Sequence, residues 1–195
     1  MRRSILAATT PLAVATALLF VSASTQATLI NATAKLDYAQ EVMPSNGTPS
    51  NATGVAKLRF DTANNTLDVS ASIHGIFVAD VTFPVGPFSF AGIGPFHIHN
   101  APAGANGPVV TAIGEAGFFS ATASGLAIQA QGLAIDPSIV ASLLAGHLYL
   151  NLHTLDYASG EIRGQISVPE AGTAGLLVLA LVVGVLRARR RAAIR

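Results

Sequence analysis

Four histidines stand where imidazole chemistry can be assembled. His97 and His99 are two positions apart in Phe96-His97-Ile98-His99, and in an extended strand alternate residues project on the same face. Phe96 and Ile98 then meet an apolar layer, and both histidines point away from it. In Leu148-Tyr149-Leu150-Asn151-Leu152-His153, the same count groups His153 with Tyr149 and Asn151, opposite three leucines. His74 shares its face with Asp68, Ser70 and Ser72. Neutral imidazole nitrogen suits copper or zinc, so convergence of these strands predicts a metal site of His97, His99, His153 and His74. The competing expectation is structural, with His97 or His99 holding the turn from Gly104 to Gly107 and His153 joining the last hairpin. His147, beside Gly146, is expected at the surface.

Other polar residues offer less. Glu161 and Arg163 flank Ile162 and are expected to pair on the outer face of the last strand, where an exposed ion pair contributes only ~0–1 kcal/mol. No serine sits in a nucleophile-elbow motif, and no glycine-rich phosphate loop follows a strand and opens a helix. No catalytic residue is assigned.

Period-two alternation marks the elements that must position these side chains. It runs through Ala56 to Phe60, Leu67 to His74, Leu148 to His153 and Ile162 to Ile166, with turn-forming clusters at Ser45 to Asn51, Asn64-Asn65, Gly104 to Gly107 and Asp156 to Gly160. One helix is predicted, because Asp136 can cap it, Pro137 suits its first position and Gly146 stops it after Ser138 to Ala145. Many short strands with one helical connector predict an all-β fold, an antiparallel sandwich or flattened barrel.

Composition bounds the function. Between Thr28 and Val168 there are four basic and nine acidic residues, a net charge of −5. The basic patches that neutralise phosphates are therefore missing, which excludes nucleic acid as a partner. The chain has no cysteine, so it has neither disulfides nor thiolate metal ligands, and its stability must come from an apolar core. About 140 residues suffice for one such core.

The two ends read as targeting segments. Arg2 and Arg3 precede an apolar stretch that closes on Thr25-Gln26-Ala27, the pattern of a secretory signal peptide over 1–27. At the other end an uncharged run from Ala171 to Leu186 meets Arg187, Arg189, Arg190 and Arg191. As a helix it would reach roughly 24 Å at ~1.5 Å per residue, a short membrane span with its arginines on the cytoplasmic side. Together with Val168-Pro169-Glu170-Ala171, segment 168–195 resembles the PEP-CTERM sorting signal of Gram-negative bacteria, with alanine in place of the second proline. The resemblance implies Pro169, Glu170 and the four arginines as a sorting signal, an inner-membrane intermediate, an exosortase-type processing enzyme, and delivery to the cell surface or extracellular matrix.

The region between, 28–167, resembles the CHRD domain, the module named after chordin. The resemblance is carried by Leu36-Asp37-Tyr38-Ala39-Gln40-Glu41-Val42, by Phe96-His97-Ile98-His99 with Asn106-Gly107-Pro108-Val109-Val110, by Leu144 to Thr154, and by Gly160-Glu161-Ile162-Arg163-Gly164-Gln165-Ile166. At Met43-Pro44 the family more often has paired prolines. The family implies a β-sandwich of immunoglobulin-like or superoxide-dismutase-like character and an extracellular role, without a defined activity. The Phe-His-Ile-His strand is locally similar to the copper-binding strand of copper–zinc superoxide dismutases, but the cysteines and zinc loop of that enzyme have no counterpart. The expected function is a non-enzymatic exported module that binds a polysaccharide, a surface protein or a metal ion. The alternative is a copper- or zinc-dependent redox protein using the outward histidines.

Overall fold

The computed structural model describes residues 29–42, 48–81 and 93–169. Strands β1 (Leu29–Asp37), β2 (Thr53–Asp61) and β3 (Thr66–His74) form a meander, followed by β4 (Phe96–Asn100), β5 (Val109–Ala112), β6 (Phe119–Thr122) and β7 (Gly125–Ala134). A short helix, α1 (Ile139–Leu144), leads into β8 (Leu148–Leu152) and β9 (Ile162–Gln165). All pairings are antiparallel, in one sheet of order β5-β4-β8-β9-β1-β2-β3-β7-β6. The expected all-β class with one helical connector is the observed one.

Local chemistry explains the elements. The β2–β3 hairpin turns at Asn65, which adopts φ 52°, while the Asp61 carboxylate accepts the Ala63 and Asn64 amides at 3.0 and 3.1 Å. Asn tolerates this left-handed backbone better than most residues do. The helix is shorter than expected at its N-terminal end. Asp136 accepts the Ser138 amide at 2.8 Å and so starts a preliminary turn, after which the helix proper begins at Ile139. It buries Ile139 and Leu143 and stops at Gly146.

The sheet has a narrow seam. Where β9 meets β1, the paired positions are Asp37 with Arg163 and an isolated bridge from Thr33 to Ser167. Gly164 lies on the inner side of this seam, where a Cβ would strike the Lys35 carbonyl and come within 3.0 Å of Leu36 Cγ. Glycine is required there because the backbones approach so closely. On either side of the seam the two halves of the sheet contribute to a single core, with Leu58, Phe60, Leu67, Ile73, Leu126 and Ile128 from one half and Phe96, Ile98, Leu148, Leu150, Leu152 and Ile162 from the other. Each such side chain contributes roughly 1.5–3 kcal/mol through removal from water.

Period-two alternation in the sequence does not mark β7. It pairs with β3 from Thr66↔Ala134 to His74↔Gly125 and buries Leu126, Ile128 and Ala130. Its Gly, Ala and Gln content dilutes the apolar signal.

Candidate functional site

β4, β8 and β9 lie side by side, and their register arranges two faces. Phe96, Ile98, Leu148, Leu150, Leu152 and Ile162 enter the core. On the opposite face the pairing aligns His97 with Asn151 and Arg163, and His99 with Tyr149 and Gln165. His153 continues this face one step beyond β8, where its amide donates to the Pro95 carbonyl at 2.8 Å. The outward phase read from the sequence is therefore correct. The face is nevertheless covered, with His97 2%, His153 8% and Arg163 1% exposed.

Loops form the cover and are held by side chains of the face itself. His99 Nδ1 is 2.9 Å from the Gly107 carbonyl oxygen, in the β4–β5 loop. His153 Nδ1 is 3.0 Å from the Ala158 carbonyl oxygen, in the β8–β9 loop. A carbonyl oxygen only accepts, so Nδ1 carries the proton in both rings and Nε2 presents the lone pair. The structural expectation for His99 and His153 is thus met at Nδ1, and meeting it selects the tautomer that a metal site needs at Nε2.

His97 is different. Among the described residues neither of its ring nitrogens completes a hydrogen bond of good geometry, the Gly94 and Ile93 backbone acting on the ring only weakly, and His99 Nε2 also has none. An unsatisfied buried polar atom costs about 1–3 kcal/mol. The three rings cluster, with centroids 5.7 Å (His97–His99), 5.0 Å (His97–His153) and 6.2 Å (His99–His153) apart. One nitrogen from each lies within 4.8 Å of the others. Metal–nitrogen bonds of ~2.0–2.1 Å would set these nitrogens roughly 3.3–3.6 Å apart, so a contraction of about 1 Å closes the site.

All three imidazoles are neutral at ordinary pH. Burial, reinforced by the His153 and His99 rings, pushes His97 down to about 3, against a weaker opposing effect of the Gly94 and Ile93 backbone. Burial likewise lowers His99 and His153, opposed by their carbonyl partners. Neutral lone pairs inside the protein are what a transition-metal ion requires.

The surroundings are polar and ordered. Tyr149 stacks on His99 with centroids 4.8 Å apart and planes at 10°, and the Arg163 guanidinium covers the other Tyr149 face with Cζ 3.4 Å from the ring centroid. Arg163 also donates to Asn106 Oδ1 at 3.2 Å and to the Pro102 carbonyl at 3.3 Å. Glu161 accepts hydroxyl hydrogen bonds from Ser50 and Thr154, both 2.7 Å. The expected exposed Glu161–Arg163 pair is therefore corrected: both side chains are buried, and each has other partners. Burial pushes Glu41 up to about 7, with Arg163 pulling the other way. Gly160, at φ 124°, leaves the space that Asn151 and Glu41 occupy: a Cβ would lie 2.5 Å from Asn151 Oδ1 and 2.7 Å from Glu41 Oε1.

His74 does not join the cluster. It ends β3, is exposed, and its Nδ1 meets the Ser124 hydroxyl at 2.8 Å. The expectation of a fourth ligand there is corrected: β3 lies on the far side of the β1–β9 seam from β4 and β8. His147 is exposed as expected. Sequence reasoning assigns no role to Glu41, although it stands in the Leu36 to Val42 block of the resemblance, or to Tyr149 and Asn151, although both share the phase of His153. The 1–27 segment and the sorting residues Glu170, Arg187, Arg189, Arg190 and Arg191 lie outside the described residues, whereas Pro169 lies at their edge. Among the described residues no helix is long and apolar enough to cross a membrane.

A family model described as CHRD domain matches residues 32–166. No curated protein and no solved structure matches the chain.

Proposed function

The chain belongs to the CHRD domain family, and from that premise we propose that it is an exported, surface- or matrix-associated binding module without catalytic activity, holding one copper or zinc ion on His97, His99 and His153. The observation that carries the reading is His97: a buried imidazole that completes no hydrogen bond of good geometry among the described residues, facing two neutral imidazoles already oriented through Nδ1. Three histidines supply the nitrogen ligands of many zinc and copper centres. Redox turnover would need a small oxidant or reductant to reach the ion, and the enclosure of His97 and His153 favours retention over turnover.

Placement outside the cytoplasm rests on the leader-like 1–27 segment, the CHRD family match and the apolar-then-arginine end, with its Pro169-Glu170 motif. In this reading the apolar C-terminal segment anchors the chain in the inner membrane until an exosortase-type enzyme passes it to the surface, where matrix polysaccharide or a surface protein is its neighbour. The test is metal content and calorimetric titration of the purified protein with zinc and copper, beside the His97→Ala/His99→Ala double variant. One equivalent bound by the parent and none by the folded variant is the expected result. A parent that binds neither metal would sink the metal reading.

A further inference from the structure

We infer that the three-histidine site selects monovalent copper over divalent zinc or copper. The inference rests on the metal reading above and adds the charge state of the ion. Ligand supply comes first. Among the described residues no fourth His, Asp or Glu joins His97, His99 and His153, and the chain has no cysteine. The two stretches of the domain outside the described residues, 43–47 and 82–92, contain no His, Asp or Glu either. The cluster therefore offers three neutral nitrogens and no anionic ligand, and the unpartnered Oδ1 of Asn151, paired with His97 across β4 and β8, is a neutral oxygen ill suited to bring in a divalent ion's second charge. Zinc is almost always four-coordinate, and divalent copper prefers tetragonal surroundings. Both ordinarily complete their shells with water. Both His97 ring nitrogens and the Nε2 atoms of His99 and His153 are closed to solvent, which leaves water no approach. A filled-shell monovalent ion is satisfied by three ligands.

Charge gives the same answer independently. The cost of taking an ion out of water rises with the square of its charge, so a divalent ion costs about four times as much as a monovalent one of similar size. The charged groups around the site are Arg163, stacked across Tyr149 from His99, Glu161, held by Ser50 and Thr154, and Glu41, beside Asn151 at Gly160. Together they are one cation and two carboxylates, of which Glu41 is held partly protonated by burial, so their net charge is no more negative than −1 and can balance one positive charge but not two.

Competition titrations of the purified full-length protein test this. Monovalent copper is titrated anaerobically against a chromophoric copper(I) chelator, and zinc(II) and copper(II) against chelators of matched strength. One copper(I) per chain is expected, at least about 100-fold tighter than either divalent ion, a difference of about 2.8 kcal/mol. Binding should be lost in His97→Gln and in His99→Gln, with circular dichroism reporting that each variant is folded. The half-buried His99 position serves if the His97 variant does not fold. Zinc(II) or copper(II) held as tightly through the same histidines would overturn the charge selection and leave the metal site standing. Failure of all three ions to bind would remove both readings, as would full copper(I) binding by the folded variants.

Discussion

The two halves of the sheet obey one alternation rule and treat their polar faces in opposite ways. Along β2 the burial alternates strictly, exposed and buried, from Thr53 to Phe60. Along β8 all five residues are buried, although Tyr149 and Asn151 point away from the core as Lys57 and Arg59 do in β2. The difference lies in what covers each face. Above β1, β2, β3 and β7 there is solvent, and a pair such as Arg59–Asp68, 3.6 Å apart with side chains 52% and 39% exposed, is screened by water. Above β4, β8 and β9 lie two loops and the segment after β1, so polar groups there act in a medium of low dielectric constant. The same residue types therefore carry different weights: a cation on one half decorates the surface, and a cation on the other organises a buried site.

The contrast can be broken most strongly with acid. Ordinary histidine titrates near 6.5 and folded His97 near 3, so between these values the unfolded chain binds a proton that the folded chain does not. Stability is full above about pH 6.5 and is lost as pH falls toward 3, by at most about 5 kcal/mol from this residue, with His99 and His153 acting in the same direction. Denaturant unfolding of the metal-free protein from pH 7 to pH 4 should show this slope. His97→Gln should flatten it, and an unchanged slope would mean that the ring is solvated. Next in size, Arg163→Ala should cost about 3–5 kcal/mol, because a buried, stacked and hydrogen-bonded cation is removed and its partners are left behind.

Glu41 tests the same half in the opposite direction. Its folded value is raised from 4.5 to about 7, so its contribution is present below about pH 4.5 and is lost as pH rises through 7. Glu41→Gln should gain about 1–2 kcal/mol relative to the parent between pH 5 and pH 8.5, less than the full shift implies because the carboxyl is partly solvated. Paired unfolding curves at the two pH values check this, and a variant that tracks the parent would place the Glu41 carboxyl in water. The smallest effects belong to the exposed half. Arg59→Ala should change stability by 0–1 kcal/mol, and His74→Ala should leave metal binding unaltered. A large loss at Arg59 would erase the distinction between the halves.

Much of this organisation is legible in the chain. The alternation in 96–99, 148–153 and 67–74 predicts the strands, their inward residues and the outward phase of His97, His99 and His153. β7 is harder to see, since a strand of Gly, Ala and Gln has little apolar contrast to alternate. The Glu161–Arg163 pair fails for a different reason. Spacing on one strand places two side chains on a face, but hydroxyls of Ser50 and Thr154 and the ring of Tyr149, brought by other segments, compete for them and win.

What the sequence determines by itself is local: which residues are apolar, which face each side chain takes, where turns fall, and that the domain lacks thiolates and basic patches. Those properties follow from a side-chain period of two and from composition, and need no knowledge of neighbours. Only the tertiary structure decides that β4 lies beside β8 while β3 does not, that two loops close over the histidines, and that His74 stays in solvent. Strand order and loop cover depend on contacts between residues far apart in the chain. Burial, which keeps three outward histidines neutral, is a property of that assembly.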